Sequence, residues 1–230
     1  MRTGPIEGPA RRDPSPTAPS LSLPEVIPVF PLTGALLLPG GVLPLNIFEP
    51  RYRAMIRDAR DGAGIIGMIQ PRVRERIAPD DHPDLYDTGC AGRITEVTET
   101  SDGRSIILLD GLSRFDVIAE RPPVNGYRRV RARYWSRRDD FGDGTEPEVD
   151  RAALLSAARG YFDRLGITAD WQAMTGADNA RLVAALATLC PFAPQEKQAI
   201  LEARGRVEQA RVLAALLSLS AHGGDGEVRH

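Results

Sequence analysis

The sequence predicts an α+β fold: a small β-barrel or sandwich of about six short, mostly antiparallel strands with one helix, followed by a C-terminal helical bundle. Three observations predict it. Up to about residue 135, short apolar runs are broken by Pro and Gly and alternate with period 2. From about residue 148 the apolar period moves to about 3.6. The order is strands first and helices later, unlike the strict alternation that builds a parallel sheet. With 230 residues, 42% of them apolar, the chain can bury a sizeable core in one large domain or two small ones.

Residues 1–24 carry Pro5, Pro9, Pro14, Pro16, Pro19 and Pro24 and few large apolar side chains, the composition of a disordered lead-in. The first strands are VIPVFPL, from Val26, and LPLNIF, ending at Phe48. Their prolines suit a sheet edge or barrel rim, where a missing N–H is tolerated. Pro50 fits a first helical position, and Glu49 favours the positive end of the helix dipole. Tyr52, Met55, Ile56 and Ala59 then fall on one buried stripe, leaving Arg51, Arg53, Arg57 and Arg60 to the other side. GAGIIGMIQP is a third strand stopped by Pro71, and polar residues 72–87, with Pro79 and Pro83, make a long loop.

A hairpin follows, GRITEVTET and RSIILLDG, turning at Asp102-Gly103. SRFDVIAE places Ser113, Phe115, Val117 and Ala119 on one face. RRVRARYW places Val130, Ala132 and Tyr134 on one face and Arg129, Arg131 and Arg133 on the other. Residues 25–135 thus form one subdomain, 136–147 a polar linker, 148–221 a helical bundle and 222–230 a flexible tail. Thr145 and Glu148 have capping-box spacing ahead of a helix whose stripe is Leu154, Leu155, Ala158 and Phe162 and which ends at Gly166. Asp178 caps the next helix. Pro194 opens QEKQAILEAR, and Gly205 breaks it from a last helix with Val207, Ala210, Ala214 and Leu217 on one face.

The search for chemistry is mostly subtractive. Of 29 basic residues only Lys197 is lysine, and no Gly-Lys dipeptide exists to build a phosphate loop. Lys197, flanked by Gln195, Glu196 and Gln198, reads as part of a solvated helix face, not as the desolvated lysine of a Ser–Lys dyad. His82 lies in the Pro-rich stretch APDDHPD, and His222 and His230 lie in the tail, so no base–nucleophile pair is visible and the metal count is none. Cys90 and Cys190 have neither a CxxC pattern nor a neighbouring histidine and read as small buried apolar groups. No catalytic residue and no cofactor is expected; a small-molecule hydrolase has the least support. A net charge of −2 gives no overall pull toward nucleic acid or membrane. No apolar run approaches the ~20 residues of a membrane span, and no signal-peptide core is present, so a cytoplasmic setting is expected.

Four stretches, in order from about Val26 to Ala221, resemble one family: IPVFPLTGALLLPGGVLPLNIFEPRYRAMIRDA, GIIGMIQP, LYDTGCAGRITEVTETSDGRSIILLDGLSRFDV and PQEKQAILE. They resemble the N-terminal substrate-binding domain of the ATP-dependent Lon protease (protease La), and above all bacterial proteins consisting of this domain alone. The resemblance implies a PUA-like β-barrel followed by a helical bundle. It also implies a non-enzymatic role: binding unfolded or damaged polypeptide, or a partner protein, as an adaptor in quality control or with a protease complex. It brings no catalytic residues. Phe48, Arg51, Tyr52 and Arg53 at the strand–helix junction, with loop 72–87, are the binding candidates, at an apolar groove expected between barrel and bundle. Because PUA-like barrels include RNA binders, the alternative is an RNA surface on Arg129, Arg131 and Arg133 beside Tyr127, Tyr134 and Trp135. Carboxylates paired with those arginines would count against it. The oligomeric state is left open.

Overall fold

The structure, a computed structural model, describes residues 23–72, 83–101, 104–136, 140 and 148–222. The strands are β1 (Val26–Pro31), β2 (Val42–Ile47), β3 (Ile65–Ile69), β4 (Thr88–Glu99), β5 (Ser105–Val124) and β6 (Tyr127–Tyr134), with α1 (Pro50–Asp61) between β2 and β3. The later helices are α2 (Arg151–Leu165), α3 (Trp171–Gly176), α4 (Asn179–Leu189), α5 (Pro194–Glu202) and α6 (Gly205–His222). The expected lead-in before Leu23, the tip of the loop, the Asp102-Gly103 turn, most of the linker and the tail after His222 lie outside the described residues.

The strands form one mixed sheet in the order β2-β5-β4-β3-β1-β6, and β6 returns to pair with β5. Five strands therefore close a ring, and β2 hangs on β5 outside it. β1 and β3 run parallel, and the other pairs are antiparallel. The ring interior is filled by Ile27, Val29, Ile65, Ala91, Phe115 and Val130. Phe115 needs room: a Cβ on Gly89 would stand 2.6 Å from its ring. Val130 and Ala132 point inward as the alternation requires, and Tyr134 meets Phe115 edge-on at 6.4 Å. Tyr134 donates its hydroxyl to the Pro24 carbonyl at 2.7 Å, and Leu23 packs beside it.

β5 differs from expectation. The sequence reads as two strands separated at Asp110-Gly111, but the structure has one strand of 20 residues. Gly111 is not a turn glycine. A Cβ there would come 2.1 Å from the Leu38 carbonyl oxygen, and Gly111 exchanges backbone hydrogen bonds with Gly40 and Gly41 at 2.9 and 2.8 Å. Its missing side chain lets the segment before β2 lie against the sheet.

A second, larger core runs between the ring, α1 and the helices. It joins Leu45, Ile47 and Met55 to Leu154, Leu182 and Leu213 without interruption. Within the helical part, Asp178 accepts from the Arg181 N–H at 2.8 Å, Gly166 closes α2 at φ 65, and Pro194 opens α5, all as the sequence predicts. The cap of α2 is a correction: Asp150, not Thr145, accepts from Ala153 N–H at 2.9 Å, and Thr145 lies outside the described residues. The short α3, capped by Asp170, has no counterpart in the sequence reading.

Lys197 is the clearest correction. It is only 7% exposed, and its Nζ donates to the Gly34 carbonyl at 2.9 Å and the Thr188 carbonyl at 3.4 Å. The helix face read as solvated is covered, because the coil carbonyl of Gly34 and the last-turn carbonyl of Thr188 in α4 need a donor. Burial lowers the pKa of the ammonium. Next to it Gln198 donates to the Thr88 carbonyl at 3.1 Å, and Gln70 donates to the Pro194 carbonyl at 2.9 Å. Arg114 completes the joint. Fully buried, it donates from Nε to Asp140 at 2.7 Å and from Nη1 to the carbonyls of Leu201, at 2.9 Å, and Ala203. Those carbonyls end α5, where no helical donor remains. The Trp135 ring lies 4.0 Å from the same guanidinium.

Candidate functional site

The structure separates the four candidate residues at the β2–α1 junction. Phe48 is 62% exposed. Arg51 pairs with Glu49 at 2.8 Å and lies over the Tyr52 ring at 4.6 Å. Tyr52 is buried, its ring 4.2 Å from that of Phe30, and burial raises its hydroxyl pKa. It serves the core, as its place on the apolar stripe of α1 demands. Arg53 faces a polar groove between α1 and the β4–β5 hairpin. Of loop 72–87, the described ends are held together. Arg72 donates to the Leu85 carbonyl at 3.0 Å and pairs with Asp87 at 2.8 Å. His82 lies outside the described residues.

Phe48 does not stand alone. β2 alternates: Leu43, Leu45 and Ile47 are buried, while Val42, Pro44 and Asn46 are exposed. Across the ladder, Asn46 pairs with Ile106 and Pro44 with Leu108. Val42 is 54% exposed and Ile106 44%. The outer face of β2 and β5 therefore carries exposed Val42, Pro44 and Ile106 with half-buried Leu108, is interrupted by Asn46, and ends at Phe48. Among the described residues β2 has a strand neighbour on one side only, and Pro44, with no N–H to offer, suits that edge. The alternation of LPLNIF alone marks the outward side of β2. Ile106 joins it only through the register with β5, which no local signal contains.

A second apolar surface lies within the helical part. Phe162, Ile167, Met174, Leu182, Ala185 and Leu189 line a cleft of about 530 Å³ between α2, α3 and α4, with Leu189 66% exposed at its rim. The described residues thus show two apolar surfaces, one on the strands and one on the helices. Strands and helices are joined by the shared core and the polar contacts around α5.

The arginine strand is largely neutralised. Arg133 pairs with Asp116 at 3.0 Å, Arg131 with Glu25 at 3.8 Å and Arg128 with Glu120, while Arg129 donates to the Pro122 carbonyl at 3.0 Å. Burial alone would raise the Asp116 carboxyl, but bonds from Trp135, Arg133 and Thr88 outweigh it and hold the pKa low. This removes most of the free positive charge that an RNA surface would use.

Among the described residues no group of three His, Cys, Asp or Glu is placed to hold a metal, and no helix is long and apolar enough to cross a membrane. Cys90 and Cys190 are buried, as expected, and are not bonded to each other. Burial pushes both thiols up, Cys190 to about 12, the opposite of what a nucleophile needs.

Residues 26–218 match the family profile described as the ATP-dependent protease La (LON) substrate-binding domain. Lon protease 2 of Sorangium cellulosum (strain So ce56) is 29% identical over 220 residues, 89% of this chain and 26% of that protein. Lon protease 2 of Myxococcus xanthus is 33% identical over 96 residues, 42% of this chain and 12% of that protein. The chain therefore spans a small part of the curated relatives it matches. Two solved structures share the fold. A Lon N-terminal domain protein from Xanthomonas campestris has a TM-score of 0.55 at 24% identity, covering 83% of this chain and 97% of that one. The N-terminal domain of the Mycobacterium avium complex Lon protease has a TM-score of 0.57 at 19% identity, covering 84% and 98%. With the profile running from the first strand of the ring to the last helix, the chain belongs to the family of the ATP-dependent protease La (Lon) substrate-binding domain.

Proposed function

We propose that this domain binds unfolded or damaged polypeptide segments without cutting them, serving as a recognition module or adaptor in protein quality control. The observation that carries the reading is the largely apolar strip from Val42 to Phe48 and Ile106, lying along an edge strand whose far side has no strand partner among the described residues. An unfolded chain offers what such a surface takes. Its backbone N–H and C=O groups are free to pair with a sheet edge whatever the sequence, and its apolar side chains are exposed. Exposed apolar residues clustered on a sheet face mark a surface that a partner can cover. The paired arginines of β6 favour this reading over RNA binding.

The test is titration of a fluorescently labelled, permanently unfolded polypeptide with the purified protein. Saturable binding at roughly tens of micromolar is expected. Phe48→Ser and Ile106→Ser should each weaken it about 10-fold, and Leu189→Ser, in the helical cleft, should leave it unchanged. Absence of saturable binding refutes the function. Loss confined to Leu189→Ser keeps the function but moves the site to the cleft.

A further inference from the structure

Arg53, Arg57 and Arg60 share one face of α1 at i, i+4 and i+7. With Val97, Glu99 and Ser105 of the hairpin they line a groove of about 390 Å³. The surface arginines elsewhere are commonly neutralised: Arg51 by Glu49, Arg72 by Asp87, Arg133 by Asp116, Arg211 by Glu208. For Arg53, Arg57 and Arg60 the described residues supply no ion-pair or hydrogen-bond partner. Asp61 is on the wall, but its carboxylate is not paired with any of the three. Three free guanidinium groups on the wall of one groove form a binding surface for carboxylates, which match their planar forks.

The groove and the apolar strip lie on opposite faces of the same end of the sheet. Ser105, on the groove's wall, is the register partner of buried Ile47 and points to the α1 side, whereas Ile106, the next residue, points outward with the strip. A chain lying on the strip reaches the arginines by turning round the end of β2 at Phe48. From Arg53 to Arg60 the helix rises about 10 Å, the reach of about three residues of extended peptide.

We propose that this groove holds an acidic stretch of the bound polypeptide, so that the domain favours segments in which two or three Asp or Glu residues flank an apolar run. The proposal rests on the polypeptide-binding reading and names the segments it selects. A polypeptide fits better than a nucleic acid. Asp61 and Glu99 on the walls would repel an unbroken row of phosphates, and no aromatic ring lines the groove for bases to stack on. Spaced carboxylates can avoid both acids.

The test uses labelled peptides with one apolar core, flanked on one side by three Glu or by three Ser, and a single-stranded oligonucleotide of similar length. The intact protein is compared with the triple variant Arg53→Ser, Arg57→Ser, Arg60→Ser, whose three positions are exposed and whose folding is checked by circular dichroism. The Glu-flanked peptide should bind the intact protein about 10-fold more tightly than the Ser-flanked one at low salt. That preference should shrink as salt rises toward ~0.3 M and vanish in the triple variant, with Ser-flanked binding unchanged. Equal affinity for the two peptides overturns the proposal while leaving polypeptide binding intact. So does a preference that survives the triple substitution. Tighter binding of the oligonucleotide than of the Glu-flanked peptide, lost in the triple variant, reassigns the groove to phosphate. If neither peptide binds, both readings fall together.

Discussion

Replacing Arg114 with leucine should be among the most damaging single changes in the protein. The guanidinium is fully buried, and its partner Asp140 is only 2% exposed. Without it, the Asp140 carboxylate keeps the Ser113 hydroxyl at 3.1 Å and the Arg114 backbone N–H at 3.4 Å, and loses the guanidinium directly bonded to it. The carbonyls of Leu201 and Ala203 lose their donor at the same time. Removing one partner of a buried pair costs about 3–5 kcal/mol, mostly because the other charge stays buried and uncompensated. For a domain of this size that corresponds to a drop in Tm of roughly 6–20 °C. Urea denaturation followed by circular dichroism measures it. Arg114→Leu combined with Asp140→Leu should cost less than the sum of the two single changes, with a coupling of about 2 kcal/mol, since the double variant buries no orphan charge. A single Arg114→Leu variant losing less than about 1 kcal/mol, or strict additivity in the cycle, would refute the reasoning.

Gly111→Ala should destabilise by about 2 kcal/mol or more, because a Cβ 2.1 Å from the Leu38 carbonyl forces that backbone away from β5; the same urea titration reads it. Asp178→Ala should cost about 1 kcal/mol through loss of the α4 cap, read the same way. Stability should fall as pH rises above about 9. Both thiol pKa values are raised on folding, so above the ordinary thiol value of 9.0 the folded chain holds protons that the unfolded chain has released. Each thiol contributes a slope of at most about 1.4 kcal/mol per pH unit. Lys197, with its pKa lowered below 10.5, opposes this with one group. The slope of stability against pH from 9 to 11 should flatten in Cys90→Ala, and an unchanged slope contradicts the assignment. In acid, Asp116 contributes stability that is present above its unfolded pKa of 3.8 and lost as pH falls through its lower folded value; Asp116→Asn should soften the acid transition.

Local rules made the elements legible where one residue decides locally. Asp178, Pro194 and Gly166 sit where caps and breaks require them, and the alternation of β6 turns Val130 and Ala132 inward. The failures share another cause. Gly111 reads as a turn because its reason, the Leu38 carbonyl, lies 73 positions earlier in the chain. Lys197 reads as solvated because its acceptors, at Gly34 and Thr188, come from other segments. Arg114 sits among outward-facing polar residues in any period-2 reading of SRFDVIAE, yet the helices that follow the ring cover it. The site divides the same way. Phe48 is legible in sequence from its place at the strand–helix junction, whereas Ile106 needs the β2–β5 register and Tyr52 serves the core.

The contacts that fasten α5 limit how chains of this kind can be recombined. A chimera that took the strands of this protein and the helices of a relative would carry a guanidinium, two glutamines and a lysine whose partners belong to two different parents. Crossovers within the region from Gly34 to Ala203 therefore inherit a mismatch at the seam. Productive grafts begin before Leu23 or follow the last buried turn at Leu217, so that strands and helices travel as one heritable unit.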